Sequence, residues 1–278
     1  MANIITVLLA SAFAGFLGAI TGLGGGSIMI PFLVAIGIPV KYAIANSMIT
    51  IIATSSGSAS AYVRERLTNI KASMYLEIFT VSGAIIGAYI SLLAPSKYLY
   101  FFFAAFLMSS FYGIRREITE EVHENTVQDT LSRWLELEGS YYDEAISREV
   151  RYKITNALWG GLGMVIAGLA AGMLGIGAGA FKVAIHELIL KMPSKVSSST
   201  SNFIIGMTAL AGSSVFIASG FINLLLAAPM AIGTTIGSLL GTRILNKLSN
   251  KTVRLLFIVV LIYLIVQMIY KGVMAIVS

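Results

Sequence analysis

Residues 4–38 read IITVLLASAFAGFLGAITGLGGGSIMIPFLVAIGI, 35 residues without a charge and with Gly22, Gly24, Gly25 and Gly26 clustered near the middle. About 20 apolar residues suffice to cross a bilayer. The run is longer than one straight span needs, and its glycines mark a place where the chain can turn at positive φ. It therefore predicts a membrane helix, a break and a shorter returning half-helix.

The rest of the chain agrees with a membrane setting. Of 278 residues, 57% are apolar and 12% charged, with a mean hydropathy of +0.86. Soluble domains are about 45–50% apolar and about 25% charged, so a water-soluble enzyme is excluded. Further apolar runs cover 42–63, 72–94, 98–114, 154–181, 196–218, 221–245 and 252–277. They are too long and too continuous for the alternating segments of about ten residues that build a transmembrane β-barrel. Cysteine is absent and the two histidines are His123 and His186, which removes disulfides, thiolate chemistry and any histidine-rich metal centre. Nothing calls for a cofactor.

The runs divide four and four about a charged segment, and the two blocks look like copies. At a shift of 154 residues Pro39, Lys41, Ser47, Asn69, Gly83, Gly87 and Lys97 fall on Pro193, Lys195, Ser201, Asn223, Gly237, Gly241 and Lys251. At a shift of 153, Gly15, Gly22, Gly24 and Gly26 fall on Gly168, Gly175, Gly177 and Gly179. Internal repeats are common in transporter folds.

Charge gives an orientation. If each half begins with a hairpin, Arg64, Arg66, Lys71, Arg115, Arg116, Arg151, Lys153, Lys191, Lys195, Arg243, Lys247, Lys251 and Arg254 share one face, and only Lys41, Lys97 and Lys271 lie on the other. That split follows the positive-inside rule. The expected fold is an all-α polytopic protein of the cell membrane. It comprises two inverted repeats, 1–114 and 154–278, each a glycine-broken hairpin plus three transmembrane helices, with both termini outside. Ala10-Ser11-Ala12 resembles a signal cleavage site, but no Lys or Arg precedes Lys41, so cleavage is not expected.

Segment 115–153 carries ten acidic against six basic residues, while the remainder carries three against thirteen. The basic residues sit at the ends of apolar runs, which argues for topology rather than nucleic-acid binding. Ile118, Val122, Leu131, Trp134, Leu135 and Leu137 fall near helical spacing, so the segment is expected to be a charged cytoplasmic linker of one or two amphipathic helices.

Gly15-Phe16-Leu17-Gly18, then Gly22-Leu23-Gly24-Gly25-Gly26-Ser27 and Pro31, then Ala43, Ala45, Asn46 and Ser47, resemble the sulfite exporter TauE/SafE family, also called the toluene-sulfonate uptake permease family. Gly175-Ile176-Gly177-Ala178-Gly179, Pro193 and Ser197 to Ser201 fit its second motif copy. The resemblance covers both blocks but not 115–153. It implies a carrier of sulfite, sulfonates or other small sulfur-containing anions. The second copy departs from the first at Ala178 and Ala184, and Lys182, His186 and Glu187 are unusually polar for this place.

A broken membrane helix exposes unpaired backbone groups and is tolerated only beside protein or a water-filled cavity. Half-helices starting near Ser27 and Ala180 would turn partially positive N-termini inward, toward an anion. Candidate substrate-binding residues at the breaks are Gly24, Gly25, Gly26, Ser27, Gly177 and Gly179; the competing reading is close packing of small residues, which Gly83, Gly87, Gly237 and Gly241 suit better. Asn46, Ser47, Ser201 and Asn202 can replace an oxyanion's water shell, or serve as interhelical hydrogen bonds, with hydroxyls such as those of Thr50 and Thr54 bonded back to their own helix. Lys182 is a candidate anion ligand, or one half of a structural pair with Glu187. Glu77, His186 and Glu187 are candidates for proton coupling, since ionisable groups inside a membrane usually mark a pathway.

The leading reading is a secondary transporter for a small anion, alternating access around a midplane site at the two breaks. No Walker-type phosphate loop is present. A passive anion channel is the alternative. An intramembrane enzyme is less favoured, because no Gly-x-Ser-x-Gly, paired-aspartate or His-Glu-x-x-His arrangement occurs. The expected partners are a small anionic substrate and the lipid bilayer.

Overall fold

The computed structural model describes residues 4–21, 24–115, 127–143, 147–245, 262 and 265–274. Helix α1 (Ile4–Thr21) runs into the glycine cluster and α2 (Gly26–Ala35) leaves it, followed by α3 (Val40–Arg64), α4 (Ile70–Leu93) and α5 (Ser96–Arg115). A short helix α6 (Thr130–Trp134) and strands β1 (Glu138–Asp143) and β2 (Arg148–Lys153) come next. The first order then recurs as α7 (Ala157–Leu174), α8 (Gly179–Leu188), α9 (Ser194–Ala218) and α10 (Leu224–Leu245), with a further apolar helix at Ile265–Met274.

The 25-residue α3 and α9 reach about 37 Å at ~1.5 Å per residue, enough to cross a hydrocarbon layer of ~30 Å. The ten-residue α2 and α8 reach about 15 Å by the same rise, half the layer. Large apolar side chains such as Ile4, Leu9, Phe13, Met74, Ile78, Leu93 and Leu225 stand on the outside, where water would penalise them and lipid does not. Small and hydroxyl residues fill the inside, among them Ser47, Thr50, Thr54, Ser58, Ser73, Thr80, Thr208 and Thr234. The chain is an all-α polytopic membrane protein.

Two helix pairs between the blocks are built on glycine. A methyl group at Gly83 would land on the Val165 carbonyl and the Leu169 N–H, and one at Gly87 on the Leu169 carbonyl and the Met173 N–H. The same contacts recur between Gly237 and Ala12 and Phe16, and between Gly241 and Phe16. Backbones this close need residues without a side chain. Sequence numbers rise together in both pairs, so α4 runs parallel to α7 and α10 runs parallel to α1. In contrast α3 and α9 are antiparallel: Asn46 near the start of α3 meets Phe221 beyond the end of α9, while Asn69 beyond the end of α3 meets Thr200 near the start of α9.

The charged segment differs from the expected amphipathic helices. Strands Glu138–Asp143 and Arg148–Lys153 pair antiparallel, Gly139 with Tyr152 and Tyr141 with Val150; Ile118 and Val122 lie outside the described residues. The reason is a period of two. Val150, Tyr152 and Ile154 are buried, while Arg151 and Lys153 between them are exposed, the alternation of a half-buried strand. Among the described residues of the segment helical spacing holds only for the single turn 130–134, capped by Asp129, whose carboxylate accepts from the Ser132 N–H.

The hairpin is docked. Leu137, Tyr141, Val150, Tyr152 and Ile154 pack with Ala72 and Leu76 of α4, Ala157 of α7, and Leu190, Met192 and Val196 around the start of α9. The Asn69 amide donates to the Tyr152 hydroxyl at 3.0 Å and the Glu138 carbonyl at 3.3 Å, and Lys71 forms an ion pair with Glu136. That partner holds the Glu136 carboxyl below its ordinary range. Burial pushes the Tyr152 hydroxyl up to about 12, against the opposing effect of the Asn69 hydrogen bond.

Candidate functional site

The two breaks meet. The first turns at Gly24 (φ 64°) and Gly25 (φ 37°), the second at Gly175 (φ 64°), Gly177 (φ 72°) and Ala178 (φ 52°). A side chain at Gly26 would touch the Gly175 carbonyl at 3.0 Å. Gly24 and Gly177 face the same two residues: at Gly24 a methyl would lie 3.5 Å from Ile205 and 3.6 Å from Ile51, and at Gly177 2.9 Å and 3.5 Å. Ile51 and Ile205 are repeat-equivalent, buried, and close to the middle of α3 and α9. The breaks therefore sit back to back about halfway along the long helices. Gly22 lies outside the described residues.

Half-helices α2 and α8 start at this point, and in α2 the Gly26 N–H donates to the Gly24 carbonyl and the Ile28 N–H to the Gly25 carbonyl. Ser27, in the first turn of α2, is buried with 1% exposure, and its hydroxyl has no hydrogen-bond partner. An unpaired hydroxyl is costly in so dry a place.

The remaining candidates separate. Ser47 donates to the Gly175 carbonyl at 2.9 Å as well as to Ile44 at 2.7 Å, and Ser201 donates to the Gly179 carbonyl at 3.4 Å. Both therefore touch the second break. Asn46 is elsewhere: its amide donates to the Tyr42 carbonyl at 2.7 Å and the Phe221 carbonyl at 3.4 Å, and its oxygen accepts from the Asn223 N–H at 3.1 Å. Those bonds tie α3 to the turn before α10 and use the groups an anion would need. The Asn202 amide donates to the Ser198 carbonyl at 3.0 Å, and its backbone carbonyl accepts from Ser55. Thr50 and Thr54 donate back to Ser47 and Thr50 of their own helix.

Lys182 and His186 lie in α8, the half-helix that leaves the second break. Lys182 is buried, and its ammonium donates to the Thr208 hydroxyl at 2.9 Å. One turn later on the same face His186 is also buried, with Nδ1 3.3 Å from the Ser197 carbonyl. Its Nε2 has no partner. Glu77 of α4 is half-buried. Glu187 is half-buried.

Residues 7–268 match the family described as Sulfite exporter TauE/SafE. The chain belongs to that family. It is 27% identical to “Probable membrane transporter protein YunE” of Bacillus subtilis over 98% of this chain and 99% of that protein. It is 26% identical to “Probable membrane transporter protein YdhB” of the same organism, over 88% and 90% of the two chains. Identity to “Probable membrane transporter protein MJ0441” of Methanocaldococcus jannaschii is 24%, over 90% and 89%. No solved structure matches the chain.

Sequence reading missed two features of the site. Ile51 and Ile205 escaped notice because they are ordinary apolar residues, although their repeat equivalence was available. Thr208 also escaped, although at a shift of 154 it falls on Thr54.

Proposed function

We propose that the protein is a secondary transporter for a small anion, with sulfite, a sulfonate or another sulfur-containing oxyanion as the substrate class, bound where the two glycine breaks meet. The observation that carries this reading is the unpartnered buried hydroxyl of Ser27 at the start of a half-helix aligned on a second break. Backbone N–H groups, the positive ends of α2 and α8 and a spare hydroxyl together suit an oxyanion. They hold it without a full charge on the first half, which favours release. Membership of a family named for sulfite export, and relatives named as membrane transporters, point the same way.

The helix directions support reading the halves as inverted. Helix α4 begins at the hairpin end of the bundle and α7 runs parallel to it, whereas α10 begins at the opposite end and α1 runs parallel to that. Equivalent helices α1 and α7 then point in opposite directions, as in carriers that alternate access about a midplane site. Lys71, Lys153, Lys191 and Lys195 gather at the hairpin end, and Lys41, bonded to the Leu92 carbonyl, marks the other. By the positive-inside rule the hairpin faces the cytoplasm and both termini face out.

The test is counterflow in proteoliposomes with sulfite, methanesulfonate, sulfate, thiosulfate and chloride. Saturable exchange with a selective order, weakened in Ser27→Ala, is expected. Folded protein that exchanges none of them, or conducts at rates far above carrier turnover, overturns the carrier reading.

A further inference from the structure

The same two hydrogen bonds close both ends of the crossing between α3 and α9. At a shift of 154 residues Asn46 falls on Thr200, Leu67 on Phe221 and Asn69 on Asn223. At the hairpin end Thr200 Oγ1 accepts from the Asn69 N–H at 3.2 Å, and the neighbouring Ser199 hydroxyl donates to the Leu67 carbonyl at 2.8 Å. At the other end Asn46 Oδ1 accepts from the Asn223 N–H at 3.1 Å, and its Nδ2 donates to the Phe221 carbonyl at 3.4 Å. One amide does there what two hydroxyls do opposite. Each latch also grips the start of the next helix, since Asn69 Oδ1 accepts from the Ala72 N–H of α4 and Asn223 Oδ1 from the Leu225 N–H of α10. Helix α4 is packed on the backbone of α7, and α10 on that of α1. Each latch therefore ties one such pair to the central crossing.

Resting on the carrier reading above, we propose that the two latches are the gates of the transport path. Parting Asn46 from Asn223 and Phe221 admits solute to the breaks from the end away from the hairpin. Parting Ser199 and Thr200 from Leu67 and Asn69 admits it from the hairpin end. Asn46, Ser199 and Thr200 are buried, so their polar groups need partners in either state. Water entering an opened end takes over those bonds, and a latch therefore opens at small cost only on the side that floods. The two ends are not equal. Asn69 is buried and its amide is held by the Tyr152 hydroxyl and the Glu138 carbonyl of the hairpin, whereas Asn223 is exposed. The hairpin braces one gate and biases the carrier toward opening at the other end.

The chain has no cysteine, so Ser27→Cys places a single thiol at the first break. Tyr142→Cys, exposed on the hairpin, reports which face of a vesicle a reagent meets. The experiment is the rate at which a membrane-impermeant thiol reagent labels Ser27→Cys in sealed right-side-out and inside-out vesicles. With the latches unaltered, labelling is expected to be faster from the end away from the hairpin. Adding Asn46→Ala should speed it from that end alone, and Thr200→Val from the hairpin end alone, by about 2- to 10-fold, the range for one hydrogen bond lost. Thr200→Ser keeps the hydroxyl and should leave the rate unchanged, while Tyr152→Phe should speed labelling from the hairpin end. Damage to the fold would speed labelling from both sides. A rise from both sides, a rise from the wrong side, or no change in Asn46→Ala and Thr200→Val overturns the gates. Faster labelling from the hairpin end with the latches unaltered, or no effect of Tyr152→Phe, overturns the part given to the hairpin. Counterflow by the wild type tests the carrier reading separately: exchange with labelling blind to side overturns the gates alone, and absence of exchange removes both.

Discussion

At the first break the chain turns through Gly25 at φ 37° and continues through Ser27 and Met29 of α2. At the second it turns through Ala178 at φ 52° and continues through Ala180 and Lys182 of α8. Backbone placement is shared: both breaks press on Ile51 and Ile205, and both half-helices are ten residues long. The chemistry is divided. One half supplies a neutral, unpartnered hydroxyl and a glycine at its tightest turn. The other supplies an ammonium and a strained alanine. In the carrier proposed above, the matched backbone fixes the position of the site and the unequal side chains set what it recognises.

Charge is the sharpest way to break the comparison. Met29 is fully buried against the Ser11 hydroxyl, and no acid stands where Glu77 does in the other half. Met29→Lys should therefore lower stability in detergent by about 3 kcal/mol, the cost of an ammonium at the centre of a membrane helix. Adding Ala231→Glu should recover part of that loss. Equal stability of the single and double variants would show that Glu77 does not offset Lys182 at the native position.

The turns are a smaller lever with opposite signs. Gly25→Ala places a methyl at positive φ, 3.2 Å from Thr54 Oγ1 and 3.4 Å from the Ala14 carbonyl. It should cost about 1–2 kcal/mol for the left-handed backbone. Ala178→Gly relieves the same strain but gives the unfolded chain more freedom, so it should raise stability by no more than about 1 kcal/mol. Melting curves of the two variants moving in the same direction would contradict the equivalence of the two turns.

Sequence legibility followed the same division between backbone and side chain. Glycines at constant spacing revealed where the chain breaks and which helices pack closely, because only glycine permits either. They did not reveal that Gly83 meets Val165 of the other block, since a missing side chain names no partner. Lys182 and Glu77 were legible because charges inside apolar runs are rare. Asn46, a ligand candidate in the sequence, bonds away from the breaks for a reason the sequence hides. An amide inside a span looks available until its carbonyl partners, Tyr42 and Phe221, are in view. The hairpin was hidden by composition: its charged residues drew attention to the sum of charge, while the alternation of Val150, Tyr152 and Ile154 with Arg151 and Lys153 was left unread.

That hairpin is the remaining inequality between the halves, and Asp129 is its smallest test. Burial alone would raise this carboxyl, but hydrogen bonds from the Ser132 hydroxyl, the Ser132 N–H and the Asn156 N–H hold it below the ordinary aspartate value. Through Asn156 it joins α6 to the start of α7, while Ser132 also accepts from the Ala157 N–H at 3.2 Å. A carboxyl lowered by folding contributes stability that is present above its unfolded value and lost as pH falls through its folded one. Asp129→Ala should cost about 1 kcal/mol, the usual worth of a helix N-cap. Hydrogen exchange of the amides in 138–153 should therefore be faster in the variant at neutral pH, and the difference from wild type should close as the medium is made more acidic than the ordinary aspartate range. A difference that persists unchanged into acid would mean that Asp129 holds the hairpin by shape rather than by charge.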